Sequence, residues 1–252
     1  MTETETNYLT DKFRDADNRL VLLDYDGTLV NFSNLPGRAI PNKELLMVLE
    51  NLIEYPKTKV FIITGRVMHE IDQLLGHLQI GIFAEHGAAL KENGSWEMQL
   101  KNDSSWKNLV LPLMNKYVTQ NPGSFIEEKY YALGWHYRKV QSDLIYTHTR
   151  ELIYELKNII HGYKLKIIDG NKIIEIMPEE IDKGKAVQKL TSSFQYDCIL
   201  CIVDDRTDED MFGYLKENGH AYTIKVGEAN TVAKYKLHDV QEVLNFLKRL
   251  TK

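Results

Sequence analysis

Residues 20–30 read LVLLDYDGTLV. An apolar run ends on Asp24, and Asp26 follows two positions later. Carboxylates this close repel each other and resist burial, so a cation or a phosphoryl group must offset the cost. Three other polar clusters have related chemistry. Thr64, Gly65 and Arg66 close the run TKVFII, and the acidic stretch DDRTD, with Asp204, Asp205 and Asp208, closes CILCIV. Asp182, Lys183, Gly184 and Lys185 open an amphipathic segment. Together they supply carboxylates, a hydroxyl and an ammonium. That inventory suits Mg²⁺-assisted phosphoryl transfer, in which a metal and a lysine balance the phosphate charge.

Each cluster has a plainer reading. D-x-D-G is also turn chemistry. A calcium loop would need a further acid or amide and a closing Glu, and Phe32 and Leu35 stand in those late positions. Asp-Lys-Gly-Lys makes a helix cap with surface lysines, and acidic runs are usually solvated faces. What the plain readings leave unexplained is the placement: three of the clusters directly follow a short apolar run, and the fourth opens a helix.

The elements around the clusters set that placement. Residues 20–25 read as a buried parallel strand. PNKELLMVLENLIEY carries Leu45, Leu46, Leu49 and Leu52 at helical spacing. TKVFIITGR is a second strand, a helix through Ile71, Leu74 and Leu75 follows, and IGIFAEHGAAL holds a third strand that ends at Glu85, His86 and Gly87. Such alternation predicts a parallel sheet with helices on both faces, where ligands bind beyond the carboxyl ends of the strands. The pattern then changes to helix, hairpin, helix, hairpin, with Asp169-Gly170 expected at the second hairpin's turn. From DKGKAVQKL the α/β alternation resumes. The expected organisation is a core of residues 1–103 and 180–252, with an α+β module of residues 104–179 inserted between its halves.

Composition narrows the function. The 252 residues carry a net charge of −5 with both signs interspersed, which argues against a nucleic-acid partner, since that needs a basic face. No apolar run approaches the ~18 residues of a membrane span, and MTETETNYLT lacks a signal-peptide core, so a cytoplasmic location is expected. Cys198 and Cys201 form a C-x-x-C in a β-rich run, where alternation sends them to opposite faces. Two buried reduced thiols are expected there, not a redox pair. A dinucleotide-binding module is disfavoured because the first strand is not followed by G-x-G-x-x-G.

DYDGT, ITGR, DKGKA and DDRTDEDMF resemble the four motifs of the haloacid-dehalogenase-like phosphatases. AEHGA, WHYRK and the acidic DDRTDE form are similar, more narrowly, to the trehalose-6-phosphate phosphatases within that superfamily. The likeness runs from about Arg19 to the C-terminus, with one departure: Val203 stands where the family usually has Gly. The resemblance implies a Rossmann-like parallel-sheet core of the haloacid-dehalogenase type with an inserted α+β cap domain for sugar recognition. It implies Mg²⁺-dependent hydrolysis of trehalose 6-phosphate through an aspartyl-phosphate. Asp24 would be the nucleophile and Asp26 the acid and base. Mg²⁺ would bind Asp24, the backbone carbonyl of Asp26, and Asp204, with Asp205 and Asp208 in support. Thr64 and Lys183 would hold the phosphoryl group. Lys183 is preferred to Lys185 because the family's lysine directly precedes the glycine.

The inserted module offers Glu127, Lys129, His136, Arg138 and Glu175. Taken alone they read as an exposed strand face with cross-strand charge pairs. The resemblance instead implies that Glu127, Lys129, Arg138 and Glu175 bind the substrate, joined by Gly65 and Arg66 from the core. His136, Trp135 and Tyr137 are expected to be structural. The implied partners are a small sugar phosphate and, by association or fusion, a trehalose-phosphate synthase. Rival readings are a phosphatase of sucrose 6-phosphate or mannosyl-3-phosphoglycerate, and a catalytically silent domain beside a synthase. Retention of Asp24, Asp26, Thr64, Lys183 and Asp204 argues against silence.

Overall fold

The computed structural model of the chain describes residues 1–32, 39–101, 103–205 and 208–252. Leu35 of the calcium-loop comparison, and Arg206 and Thr207 of the acidic motif, lie outside the described residues. From the N-terminus come α1 (Glu3–Asp15), β1 (Arg19–Leu23), α2 (Lys43–Glu54), β2 (Thr58–Ile63), α3 (Met68–Leu75), β3 (Gly81–Ala84), a 3-10 turn over Glu85–Gly87, β4 (Ala89–Glu92) and β5 (Ser95–Met98). Next follow α4 (Lys107–Gln120), β6 (Phe125–Glu128), β7 (Leu133–His136), α5 (Ile145–Ile159), β8 (Leu165–Gly170) and β9 (Ile173–Pro178). The chain closes with α6 (Lys183–Ser193), β10 (Cys198–Val203), α7 (Glu209–Leu215), β11 (Ala221–Val226), β12 (Tyr235–Leu237) and α8 (Val240–Leu250). It divides into two compact units, Met1–Gln99 with Asp182–Lys252, and Leu100–Ile181.

The first unit is built on an eight-stranded sheet of order β12-β11-β10-β1-β2-β3-β4-β5. Its strands are parallel from β12 to β3, and β4 and β5 turn back antiparallel at the edge. All five residues of β1 and all six of β10 are buried, as expected of strands covered on both faces. One face packs Val21, Leu23, Ile62, Leu200 and Ile202 into one cluster, and the other packs Leu22, Ile63, Cys201 and Val203 into a second. Cys198 and Cys201 fall in different clusters and are free thiols. Burial pushes Cys198 up to about 12 and raises Cys201 as well, so both stay protonated and inert.

β1 lies between β2, which follows it in the chain, and β10, which the chain enters only after α6, so the strand order reverses at β1. That reversal is the switch point where open α/β sheets bind ligands. Leu23 is level with both Ile62 and Ile202, so Asp24, Thr64 and Asp204 emerge within one residue of the same height.

Three features depart from the sequence-based reading. The third strand ends at Ala84, with Glu85–Gly87 turning after it as expected, but the rest of the run returns as antiparallel β4, a strand the sequence reading did not give. The α1 helix was not anticipated, although it carries a capping box, with Thr2 Oγ1 accepting from Glu5 N and the Glu5 carboxylate accepting from Thr2 N. It is anchored by buried Leu9 and Phe13, one turn apart. The third departure lies in the second unit. There Gly170 pairs with Ile173, which puts Asn171 and Lys172 in the hairpin loop, with Lys172 at φ +66°. Asp169 and Gly170 belong to β8 instead.

The second unit is a four-stranded antiparallel sheet of order β6-β7-β9-β8. Leu133, Trp135, Ile174 and Ile176 share one core with Val110, Met114 and Tyr117 of α4 and Leu152 and Leu156 of α5. Residues of opposite parity along β7 and β9, Gly134, His136 and Glu175 among them, lie on the other face.

Candidate active site

At the switch point, Asp24 is buried, with 5% of its surface exposed. Lys183, the first residue of α6, places Nζ 2.7 Å from Asp24 Oδ1 and 2.6 Å from Asp208 Oδ1. Its position has a local cause. Asp182 caps the helix, its Oδ1 accepting from Gly184 N at 2.6 Å and Lys185 N at 3.2 Å. A side chain at Gly184 would stand 2.4 Å from the Tyr214 ring, so glycine lets α6 and α7 close up and brings Lys183 to Asp208. Lys185 points outward and is exposed.

Ligand oxygens of Asp24, Asp204 and Asp208 lie within 4.8 Å of one another. Thr28 Oγ1 donates to Asp204 Oδ1 at 3.2 Å, and Lys225 Nζ donates to the Asp204 carbonyl. Gly27 makes the approach possible. It sits at φ +89°, and a Cβ there would lie 2.1 Å from Asp204 Oδ2. Asp205 is half-buried and outside the three-carboxylate group.

One ammonium cannot balance three carboxylates, two of them buried and Asp204 partly so. Burial raises the Asp24 carboxyl well above its ordinary value; Lys183 pulls it down, while Asp208 and Asp204 push it up. Burial, then the charges of Asp208 and Asp205, push Asp204 up to about 7. Lys183 is raised too, which keeps it charged: burial disfavours its charge, but Asp208 and Asp24 outweigh that. Asp208 Oδ2 is buried and has no hydrogen-bond partner among the described residues. Hard oxygen donors with residual negative charge are what a small divalent cation takes.

Asp26 points to a different partner. The Arg66 guanidinium grips its carboxylate with two bonds, Nε to Oδ2 and Nη2 to Oδ1, each 2.7 Å. Arg66 lies over the Tyr25 ring at 5.0 Å and reaches Glu70 at 3.7 Å. Thr64 is buried, and its hydroxyl accepts from Arg66 N at 3.2 Å. Gly65 lies under the His86 imidazole, where a Cβ would be 2.6 Å from ring atoms. Sequence reasoning gave no role to the AEHGA turn, yet its backbone supports this loop. Glu85 N donates to Arg66 O and His86 N to Thr64 O, both at 2.9 Å, from consecutive left-handed residues at φ +45° and +57°. Two non-glycine residues in that region mark a locally strained segment. Thr28 stood in the DYDGT motif without a role, and Lys225, which also holds Asp204, was missed; it does not stand out in the sequence.

In the second unit, Glu127, Lys129 and Glu175 come together. Lys129 Nζ donates to Glu175 Oε1 at 2.6 Å and lies 4.0 Å from Glu127 Oε2. Lys107 of α4 secures the loop beneath, donating to the carbonyls of Lys129 and Tyr130. Arg138 donates to the Asn171 carbonyl at the β8–β9 turn, at 2.7 Å.

The family model described as trehalose-phosphatase matches residues 22–241. The chain belongs to the trehalose-phosphatase family. It is 38% identical to alpha,alpha-trehalose-phosphate synthase [UDP-forming] B of Dictyostelium discoideum over 249 residues, covering 96% of this chain and 31% of that protein. It is 37% identical to the bifunctional trehalose-6-phosphate synthase/phosphatase of Thermoproteus tenax, covering 99% of this chain and 34% of the relative. The chain thus spans about a third of the length of these curated relatives. The C-terminal domain of trehalose-6-phosphate phosphatase from C. albicans superposes with a TM-score of 0.93 at 32% identity, covering 98% of this chain and 96% of that one. The expected parallel-sheet core of the haloacid-dehalogenase type is borne out, and at its switch point Asp24, Lys183, Asp204 and Asp208 form a candidate phosphoryl-transfer centre.

Proposed function

We propose that the chain hydrolyses trehalose 6-phosphate to trehalose and phosphate, using Mg²⁺ held by Asp24, Asp204 and Asp208 together with the Asp26 carbonyl. The observation that carries the reading is the buried group in which Lys183 bridges Asp24 and Asp208, in a member of the trehalose-phosphatase family. The donor set fits the metal: three carboxylates exceed the charge of one lysine, and one Asp208 oxygen has no hydrogen-bond partner among the described residues. When bound, Mg²⁺ offsets the phosphate charge as it meets this acidic centre.

Asp24 attacks phosphorus, its oxygen forming the new P–O bond as the bond to the sugar oxygen breaks. Asp26 gives that oxygen its proton, then takes one from the water that cleaves the aspartyl-phosphate and frees Asp24. Both Asp26 oxygens accept from Arg66, so the acid role requires Arg66 to release at least one of them when substrate binds, which frees the guanidinium for the substrate. Thr64 and Lys183 offer a hydroxyl and an ammonium to the phosphoryl oxygens, and Asp205 supports the acidic loop. In the second unit Glu127, Lys129, Glu175 and Arg138 read the sugar hydroxyls: they mix charge-assisted acceptors with donors, as polyol recognition requires. In the first unit, Gly65 and Arg66 are assigned to substrate binding as well.

The two free cysteines fit a reducing compartment, and we place the reaction in the cytoplasm. Among the described residues, no helix is long and apolar enough to cross a membrane. The chain's match to one part of a bifunctional synthase/phosphatase supports action beside, or fused to, a trehalose-phosphate synthase. Phosphate release should be measured over trehalose 6-phosphate, sucrose 6-phosphate, glucose 6-phosphate and mannosyl-3-phosphoglycerate, with Mg²⁺ and with EDTA. Fast release from trehalose 6-phosphate alone, lost in EDTA, is expected. Equal rates on all four, or full activity in EDTA, would overturn the substrate or the metal assignment respectively.

A further inference from the structure

His136 was expected to be structural, yet its ring is tied to the charged cluster of the second unit. Nε2 lies 2.7 Å from Glu127 Oε2, and the imidazole stacks on Phe125 with centroids 4.7 Å apart and planes 6° from parallel. Strand register explains the meeting. Phe125 is opposite His136, and Glu127 and Glu175 flank Gly134 from β6 and β9. These five residues therefore share one face of the sheet. At position 134 a Cβ would stand 2.9 Å from Ile173 Cδ1 and 3.5 Å from His136 Nε2. The missing side chain leaves the imidazole room to lean along the row toward Glu127.

The pair is partly exposed, with side-chain exposures of 17% for His136 and 23% for Glu127, and the hydrogen bond has a geometric effect. A free Glu side chain samples many rotamers and loses them when it binds a ligand. A carboxylate already held by a stacked imidazole has lost them beforehand. Burial disfavours the Glu127 charge, but the His136 hydrogen bond and the Lys129 ammonium outweigh it and hold the carboxyl below its ordinary value. Glu127 is thus an ionised acceptor.

We propose that His136, held flat by Phe125, is the positioning residue of this face: it fixes the Glu127 carboxylate through Oε2 and so presents Oε1 to a sugar hydroxyl beside Lys129 and Glu175. The inference rests on the reading of this face as the sugar-binding surface. Gln is the conservative probe, because its amide nitrogen can donate in place of Nε2.

The test compares trehalose 6-phosphate with p-nitrophenyl phosphate, which has no sugar hydroxyls, for His136→Ala, His136→Gln, Phe125→Leu and Glu127→Ala, alongside melting temperatures. His136→Ala should raise KM for trehalose 6-phosphate about tenfold with little change in kcat, lowering the ratio of the two substrates' kcat/KM by about the same factor. His136→Gln should recover most of that ratio, and Phe125→Leu should lose about threefold. In the Glu127→Ala background, His136→Ala should cost nothing further, since the two act as a unit. Equal losses on both substrates that track the melting temperature, no recovery with Gln, or costs that add to those of Glu127→Ala would overturn the positioning role. If Glu127→Ala lowers the ratio and His136→Ala does not, the positioning role fails alone. If Glu127→Ala itself leaves the ratio unchanged, the sugar-reading assignment fails and the inference with it. Should His136→Ala not fold, His136→Gln and Phe125→Leu decide: a wild-type ratio for Gln with a loss for Leu supports the role, and a wild-type ratio for both overturns it.

Discussion

Three carboxylates meet around one ammonium, so without a divalent cation the protein should lose stability as pH rises. The folded Asp204 carboxyl stands at about 7 against an ordinary 3.8. Between those values the folded chain keeps a proton that the unfolded chain has released. Protons then favour the fold, and that advantage disappears as pH climbs through about 7. At about 1.4 kcal/mol per pH unit, the penalty at pH 8 from this one group is about 4 kcal/mol. Asp24 is raised as well and moves stability in the same direction. A cation held at roughly a thousand times its Kd stabilises by about 4 kcal/mol, a matching size. In a chain of this length 1 kcal/mol moves the midpoint by roughly 2–4 °C, so saturating Mg²⁺ should raise Tm by about 10 °C at pH 8 and far less at pH 5.

Calorimetry at both pH values, in EDTA and in Mg²⁺, measures this. Asp204→Asn is the decisive variant, because it removes one negative charge while keeping an oxygen for the Thr28 hydroxyl. In EDTA at pH 8 it should melt above the unsubstituted protein, and it should lose most of the Mg²⁺ gain. A Mg²⁺ gain equal at pH 5 and pH 8, or an Asp204→Asn variant that melts lower in EDTA at pH 8, would refute the reasoning.

Other expectations concern single residues of the same centre. Asp24→Asn should abolish turnover and leave no acid-stable phosphoenzyme in a rapid-quench experiment, while far-UV circular dichroism stays unchanged. Lys183→Ala leaves two buried carboxylates without their partner and should cost about 3–5 kcal/mol in urea unfolding. Lys185→Ala, at an exposed position, should stay within about 0.5 kcal/mol. Gly27→Ala puts a Cβ into the Asp204 carboxylate and strains a backbone at φ +89°. It should lower stability by more than about 1 kcal/mol and reduce phosphate release together.

How much of this was legible in advance differs from element to element. An apolar run that stops at Asp24, Thr64 or Asp204 identifies a buried strand and its polar end, because hydrophobic burial and carboxylate solvation are properties of the residues themselves. The same local logic sent Cys198 and Cys201 to opposite faces, since strand alternation needs no partner. It also distinguished the helical segments by the spacing of their leucines. The reading failed where an outcome depends on what pairs across space. The β8–β9 hairpin turns at Asn171 and Lys172, against the Asp-Gly signal, because the pairing of Gly170 with Ile173 fixes the register. The α1 helix depends on a docking surface for Leu9 and Phe13 that sequence spacing does not reveal.

The site divides in the same way. Residue types and their order along the chain pointed to a phosphoryl-transfer centre at the strand ends. Only the tertiary structure decided that Asp208 turns in beside Lys183 while Asp205 does not join the cluster, because close packing of α6 on α7 sets which carboxylate lies within reach of the ammonium. Only it decided that Arg66 grips Asp26 and that His136 holds Glu127. Those contacts join residues far apart in the chain or on different strands. Their distances follow from the register of the strands and the tilt of the helices, and no property of the separate residues encodes them.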